Sequence, residues 1–258
     1  MGVVNLTPDS FSDSGKYFAP EHAITHARQL IADGADILDL GAESTRPGAV
    51  AVPPNIELQR LLPVIDALLA DNIPLSIDTR NASTMRAVIA RVVDMINDVD
   101  GFRDPAAVAA IAASQSLGAC IMHMQGEPLT MQQSPTYRDV VAQVAEFFYR
   151  QAQVMCNVGV APNRLVFDPG IGFGKTVEHN AALIQQLNAM RYGSSALLLG
   201  LSRKSVIGAI TGRPVHQRLV GSVMGAVVGI SNGANIVRVH DVAETVDAIK
   251  VWQALHRA

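Results

Sequence analysis

The sequence predicts an α/β protein, a (β/α)8 TIM barrel forming a single domain over residues 1–258. Three observations carry this. Eight short β-rich runs alternate with eight longer helical patterns, the mark of parallel βαβ units. A length of 258 residues with 49% hydrophobic content suits one closed barrel and a large core. No low-complexity linker or composition break divides the chain. An open doubly wound sheet is the alternative, but no glycine-rich fingerprint follows the first strand.

The first strand is read at 2–5, where GVVN is apolar and β-branched. The helix EHAITHARQLIADG follows and stops at Gly34, a residue suited to a left-handed C-terminal cap. Strand two is 37–41, with NIELQRLLPVIDALLADN as its helix; strand three is 75–78, followed by NASTMRAVIARV. After strand four at 95–97, Asp104 and Pro105 read as an N-cap and a first-turn proline. That helix, DPAAVAAIAASQSLG, is expected to close on Gly118. Strand five is 119–123, and YRDVVAQVAEFFYRQAQVMCNVG ends at Gly159. Strand six, 165–168, precedes EHNAALIQQLNAM. Strand seven, 197–201, precedes VHQRLVGSVMGAVVGISNG, which ends at Gly233. Strand eight, 236–239, leads into VAETVDAIKVWQALHRA.

Composition narrows the function. The net charge is −3 and no basic stripe is present, which argues against a nucleic-acid partner. Cys120 and Cys156 match no metal spacing and read as free thiols of a reducing compartment. The N-terminus has no signal-peptide pattern, and Leu6 stands where myristoylation needs Ser or Thr. Residues 219–237 carry no charge, but the helix there is expected to end near Asn232 and Gly233, too short for a bilayer. The expectation is a soluble, cytoplasmic protein.

Barrel enzymes keep their sites at the C-terminal ends of the strands. Here those ends carry Asn5, Asp78, Asn97, His123, Asp168, then Ser202, Arg203 and Lys204, then Arg238 and His240. Each alone has a structural explanation, such as capping the next helix; Asp98 beside Asn97 suits that role. Repetition around the ring points to one shared pocket. Asp78, Asn97 and Asp168 offer acceptors to a flat heterocycle with adjacent N–H donors. Arg238 and His240 share one strand face and offer donors to an anion, though a salt bridge is the plainer reading of Arg238. Asn5 suits Mg²⁺, which binds few protein ligands plus phosphates. Ser202 is expected to cap a helix beginning near Arg203, with Lys204 and Ser205 at an anion site. In DPGIGFGKT, a Walker A loop would need Gly at Pro169, so that reading fails. Two long loops, following strands one and two, are expected to close over the site.

Taken together, GVVNLTPDSFSDSG, LDLGAESTRPGA, SIDTR, INDV, MHMQGEP, FDPGIGFGKT, LSRKS and VRVHDV resemble the motifs of the dihydropteroate synthase family, in order, from Gly2 to Val242. The resemblance implies condensation of 6-hydroxymethyl-7,8-dihydropterin diphosphate with p-aminobenzoate, giving 7,8-dihydropteroate and diphosphate. It implies a pterin site at Asp78, Asn97, Met122, Asp168 and Lys204. Asn5, Thr45, Arg238, His240 and Mg²⁺ would take the diphosphate, with Asn5 as metal ligand. Thr45, Arg46, Pro47, Phe173, Lys204 and Ser205 would surround the aminobenzoate, where sulfonamides compete. Lys204, Arg238 and His240 would act at the reacting centre.

The resemblance also implies a homodimer through the late helices, where Gly221, Gly225 and Gly229 recur four apart. Those glycines have a plainer explanation in close packing on the barrel. Family members usually carry a short segment before the first motif. This sequence begins inside strand one, and the absent piece would cap the bottom of the barrel. Two other readings remain: a corrinoid-linked pterin methyltransferase, which would not need the STRPG, SRKS and VRVH motifs together, and an inactive pterin-binding scaffold.

Overall fold

The computed structural model describes residues 1–7, 20–44, 51–126, 131 and 134–256. Its eight strands are β1 (Gly2–Asn5), β2 (Leu38–Gly41), β3 (Leu75–Asp78), β4 (Met95–Asp98), β5 (Gly118–Met122), β6 (Leu165–Asp168), β7 (Ala196–Leu199) and β8 (Ile236–Val237). They pair in sequential order, every pair parallel. The ring closes where Gly2 bridges Val239, with Val3 N donating to Val239 O and Val239 N to Met1 O, both at 3.0 Å. The predicted barrel is therefore observed, and the open sheet is not.

Among the described residues there are nine α-helices, one more than expected. They are α1 (Pro20–Ala32), α2 (Pro54–Ala70), α3 (Ala82–Ile89), α4 (Pro105–Ala112), α5 (Val140–Asn157), α6 (Val177–Gln185), α7 (Ser205–Thr211), α8 (Leu219–Ser231) and α9 (Val242–His256). The extra one, α7, is short and stands between β7 and α8. Asp104 caps α4 as read, accepting from Ala106 N at 2.8 Å, a contact worth about 1 kcal/mol. Gly34, Gly159 and Gly233 take left-handed backbone after their helices. Gly118 does not; it opens β5.

Strand alternation sorts the side chains. Leu38, Leu40, Leu75, Ile77, Ile96, Ile121, Leu165 and Phe167 face the helices and join the main core. Met95, Cys120, Val166 and Leu198 form a second, smaller cluster with Met1 inside the ring. By the same parity Asp39, Ser76, Asp78, Asn97, Asp168 and Arg238 belong to the interior. The barrel thus has an apolar floor and a polar upper end.

On α8 the three spaced glycines allow close approach. A methyl at Gly221 would collide with Ile207 Cγ2, at Gly225 with Leu201 Cδ2, and at Gly229 with Leu199 Cδ2. Helix α8 lies directly on β7 and α7, which offsets the propensity cost of the glycines. The plainer of their two explanations accounts for them.

Candidate active site

The site grows from the strand register. Gly41 pairs with Asp78 and Asp78 with Asn97, while Asp168 pairs with Met122, two residues beyond the partner of Asn97. Asp78, Asn97 and Asp168 are all buried. Asn5 ends β1 opposite Gly41 and is half-buried. A side chain at Gly200 would stand 3.7 Å from Lys204 Nζ, 3.8 Å from Asp168 Oδ2 and 3.9 Å from Arg238 Cβ, so these three groups meet at one place.

One level deeper stands Asp39, a residue the sequence reading missed. It is fully buried. Its carboxylate accepts from Arg238 Nε at 2.6 Å, Ser76 Oγ at 2.6 Å and Asn97 Nδ2 at 3.2 Å. Arg238 also reaches Asp78, Nη2 to Oδ2 at 3.1 Å. The plainer reading of Arg238 is thus observed: two of its five N–H donors serve carboxylates. Arg238 and His240, read as sharing one face, meet different partners. The strand shortens to Ile236–Val237, and beyond it Arg238 turns in toward the acids while His240 N and Nδ1 meet Ser202 Oγ at 3.2 and 3.0 Å.

Ser202 therefore does not cap a helix. Helix α7 begins at Ser205 with Lys204 as its N-cap residue. Arg203 leaves the pocket and pairs with Asp241. Lys204 stays at the mouth, donating to Ile171 O at 2.6 Å with its ammonium 4.9 Å from the centre of the Phe173 ring. Phe173 packs on a cluster of Val99, Met122, Met124 and Met131, an apolar wall beside the acids. Ser205 is exposed at the start of α7. Asp98 orders the turn after β4, accepting from Asp100 N and Phe102 N at 2.8 and 2.7 Å, while capping of α4 falls to Asp104. Thr45, Arg46 and Pro47 lie outside the described residues, as do residues 8–19 of the first long loop and 45–50 of the second.

His123 also departs from expectation. It points away from the mouth to Lys175, whose Nζ lies 3.1 Å from its Nδ1. Burial, together with Lys175 and Arg103, lowers its pKa to about 2, so it is a neutral acceptor.

Electrostatics suit a site built to hold a polar ligand. Burial pushes Asp78 up to about 7, helped by Asp39 and opposed by Arg238. Burial also raises Asp168, against the pull of Lys204 and the Gly170 amide. Burial lowers Lys204 to about 8, partly offset by Asp168. For Arg238 burial works against the charge, but Asp39 and Asp78 more than compensate and the group stays cationic. Among the described residues no three His, Cys, Asp or Glu side chains could hold a metal. A groove of about 510 Å³ lies at the C-terminal ends of α6 and α8, at the opposite end of the barrel, and its lining includes no charged side chain.

Comparison with known proteins agrees with the geometry. The family model for pterin binding enzyme matches residues 1–240. A dihydropteroate synthase of Neisseria meningitidis serogroup B is 47% identical over 261 residues, covering 99% of this chain and 92% of the relative. The crystal structure of Burkholderia cenocepacia dihydropteroate synthase complexed with 7,8-dihydropteroate superposes with TM-score 0.89 at 45% identity, over 98% of this chain and 90% of that one. The Yersinia pestis dihydropteroate synthase structure, with a sulfonamide drug complex, gives 0.93 at 41% identity, over 100% and 94%.

Proposed function

The chain belongs to the dihydropteroate synthase family of pterin-binding enzymes, and from that premise we propose how its barrel mouth divides the work. It is a transferase of folate biosynthesis and a sulfonamide target. Its reaction joins 6-hydroxymethyl-7,8-dihydropterin diphosphate to p-aminobenzoate and releases diphosphate. The observation that carries the assignment of roles is the meeting of Asp168, Lys204 and Arg238 around Gly200.

The pterin ring lies among Asp78, Asn97 and Asp168, with Met122 against its face. Asp168 accepts from adjacent ring N–H donors, a charge-assisted pair in a dry setting. Lys204 balances that charge and, with Phe173, Ser205, Thr45, Arg46 and Pro47, borders the aminobenzoate. The diphosphate points to the remaining donors of Arg238 and to His240, Asn5 and Thr45. Loss of diphosphate leaves an electron-poor methylene whose charge the pterin nitrogens share. The amine is already a nucleophile, so the chain supplies alignment and anion stabilisation instead of a strong base.

Mg²⁺ fits this donor set in a limited way. Asn5 supplies one neutral oxygen at the mouth, and the absence of a carboxylate cluster among the described residues suits an ion carried largely by substrate phosphates. Bound there, it would neutralise charge on the departing diphosphate. A homodimer through the late helices is supported by Val220, Met224, Val251 and Leu255, all exposed on α8 and α9. A cytoplasmic setting is supported by the two free cysteines. No described helix is long and apolar enough to cross a membrane.

Diphosphate release that requires both substrates and Mg²⁺ is the test. A scaffold releases none, and methyl transfer to a corrinoid would favour the methyltransferase reading. Arg238→Ala is expected to lower kcat/KM for the diphosphate substrate about 100-fold, against about tenfold or less on the Kd of the pterin lacking diphosphate. Equal losses on both ligands, by kinetics and calorimetry, would contradict its role.

Asp78 predicts a pH dependence. Its carboxylate forms as pH rises through about 7, so pterin affinity strengthens from pH 6 to 8, by about tenfold for a single group. Calorimetry across that range checks it. Asp78→Asn should flatten the profile; an unchanged slope in that variant would remove Asp78 from the account.

A further inference from the structure

Lys175, in the loop after β6, plays no part in the chemistry described above, yet it is 3% exposed. Its Nζ donates to Gly170 O at 3.1 Å, Phe173 O at 2.9 Å and His123 O at 3.1 Å, and meets His123 Nδ1 at 3.1 Å. Two of those acceptors belong to its own loop and two to the end of β5. Burying an ammonium against neutral acceptors is costly, and an apolar side chain would fill the position without that penalty. Stability alone is a poor reason for a lysine here.

The hydrogen bonds lead to the pterin acids. The Gly170 peptide whose carbonyl faces Lys175 belongs to the residue whose N–H donates to Asp168 Oδ1 at 2.8 Å. Gly170 adopts positive φ, and a side chain there would collide with His123 O, so the loop backbone sits directly on β5. From the other side, Lys204 grips the same loop at Ile171 O. Two ammonium groups therefore hold residues 170–173 between them, one at the mouth and one buried.

We propose that Lys175 is a positioning residue for the pterin site: it pins the loop to the end of β5 and thereby fixes the Asp168 carboxylate and the Phe173 ring. This rests on the reading of Asp168 as the pterin acceptor. Lys175→Met should weaken binding of 6-hydroxymethylpterin, measured by calorimetry, at least tenfold while circular dichroism shows a folded protein. Ile111→Val, a cavity variant in the buried face of α4, should lower the melting temperature and leave pterin affinity within twofold. Should the Met variant not fold, His123→Phe removes one acceptor and keeps a ring against Phe147, and a threefold or greater weakening is then expected.

Wild-type affinity in the folded Lys175→Met protein would overturn the proposal. So would an equal loss in Ile111→Val, or, where the Met variant does not fold, unaltered affinity in His123→Phe. Asp168→Asn separates the two levels. If it abolishes binding while Lys175→Met does not, the positioning role alone fails. If neither variant matters, the reading of Asp168 fails with it.

Discussion

Asp168→Asn is expected to lower kcat/KM for the pterin diphosphate about 1000-fold, mostly through pterin affinity, with the fold intact. The carboxylate is buried beside Lys204 and already accepts from Gly170 N–H. An amide preserves the shape and can still accept from Gly170. It cannot supply a charged acceptor to two adjacent ring N–H groups, and its own NH2 would face one of them. Charged hydrogen bonds contribute about 1.5–3 kcal/mol each, and a donor left opposite a donor adds a desolvation cost. Lys204 simultaneously loses the charge that supports its ammonium. Removing a buried carboxylate also removes a desolvation penalty, so the melting temperature should change little. Steady-state kinetics with calorimetry check this; a kcat/KM within tenfold of wild type would remove Asp168 from the centre of the site.

The second large effect is expected at Asp39. Its carboxylate is the common acceptor for Arg238, Ser76 and Asn97. Asp39→Ala leaves a part-buried guanidinium and two buried polar side chains short of a partner, a loss of about 3 kcal/mol in denaturant unfolding. Asp39→Asn is gentler and more informative. It removes a charge that raises the Asp78 pKa and lets Arg238 lean further on Asp78. The rise in pterin affinity centred near pH 7 should therefore move to lower pH. A profile that stays in place, or moves up, would show that Asp39 does not tune Asp78.

The sequence made the barrel legible because β and α periods alternate cleanly and each apolar strand ends in a polar residue. Asp78, Asn97 and Asp168 were readable for that reason. Asp39 was not, since it lies mid-strand in LDLG, where attention to strand ends passes over it. Parity was the available signal: the leucines on either side face the helices, so an aspartate between them must enter the barrel and find a cation. Alternation foretold that Arg238 turns inward, but its partner Asp39 and the Ser202 hydroxyl that meets His240 come from elsewhere in the chain and no local pattern encodes them. Ser202 was misread as a cap because SRKS looks like a helix start, whereas the backbone turns through a left-handed Arg203 before α7 begins. Lys175 carries no local signal, because its four contacts come from tertiary packing that no sequence pattern encodes.

The most direct test of the shared mouth is a crystal structure with 6-hydroxymethyl-7,8-dihydropterin diphosphate bound. The pterin ring should lie within hydrogen-bond distance of Asp168 and Asn97, with the diphosphate on Arg238 and His240. A ring seated away from Asp168, or a diphosphate directed away from Arg238, would contradict the account.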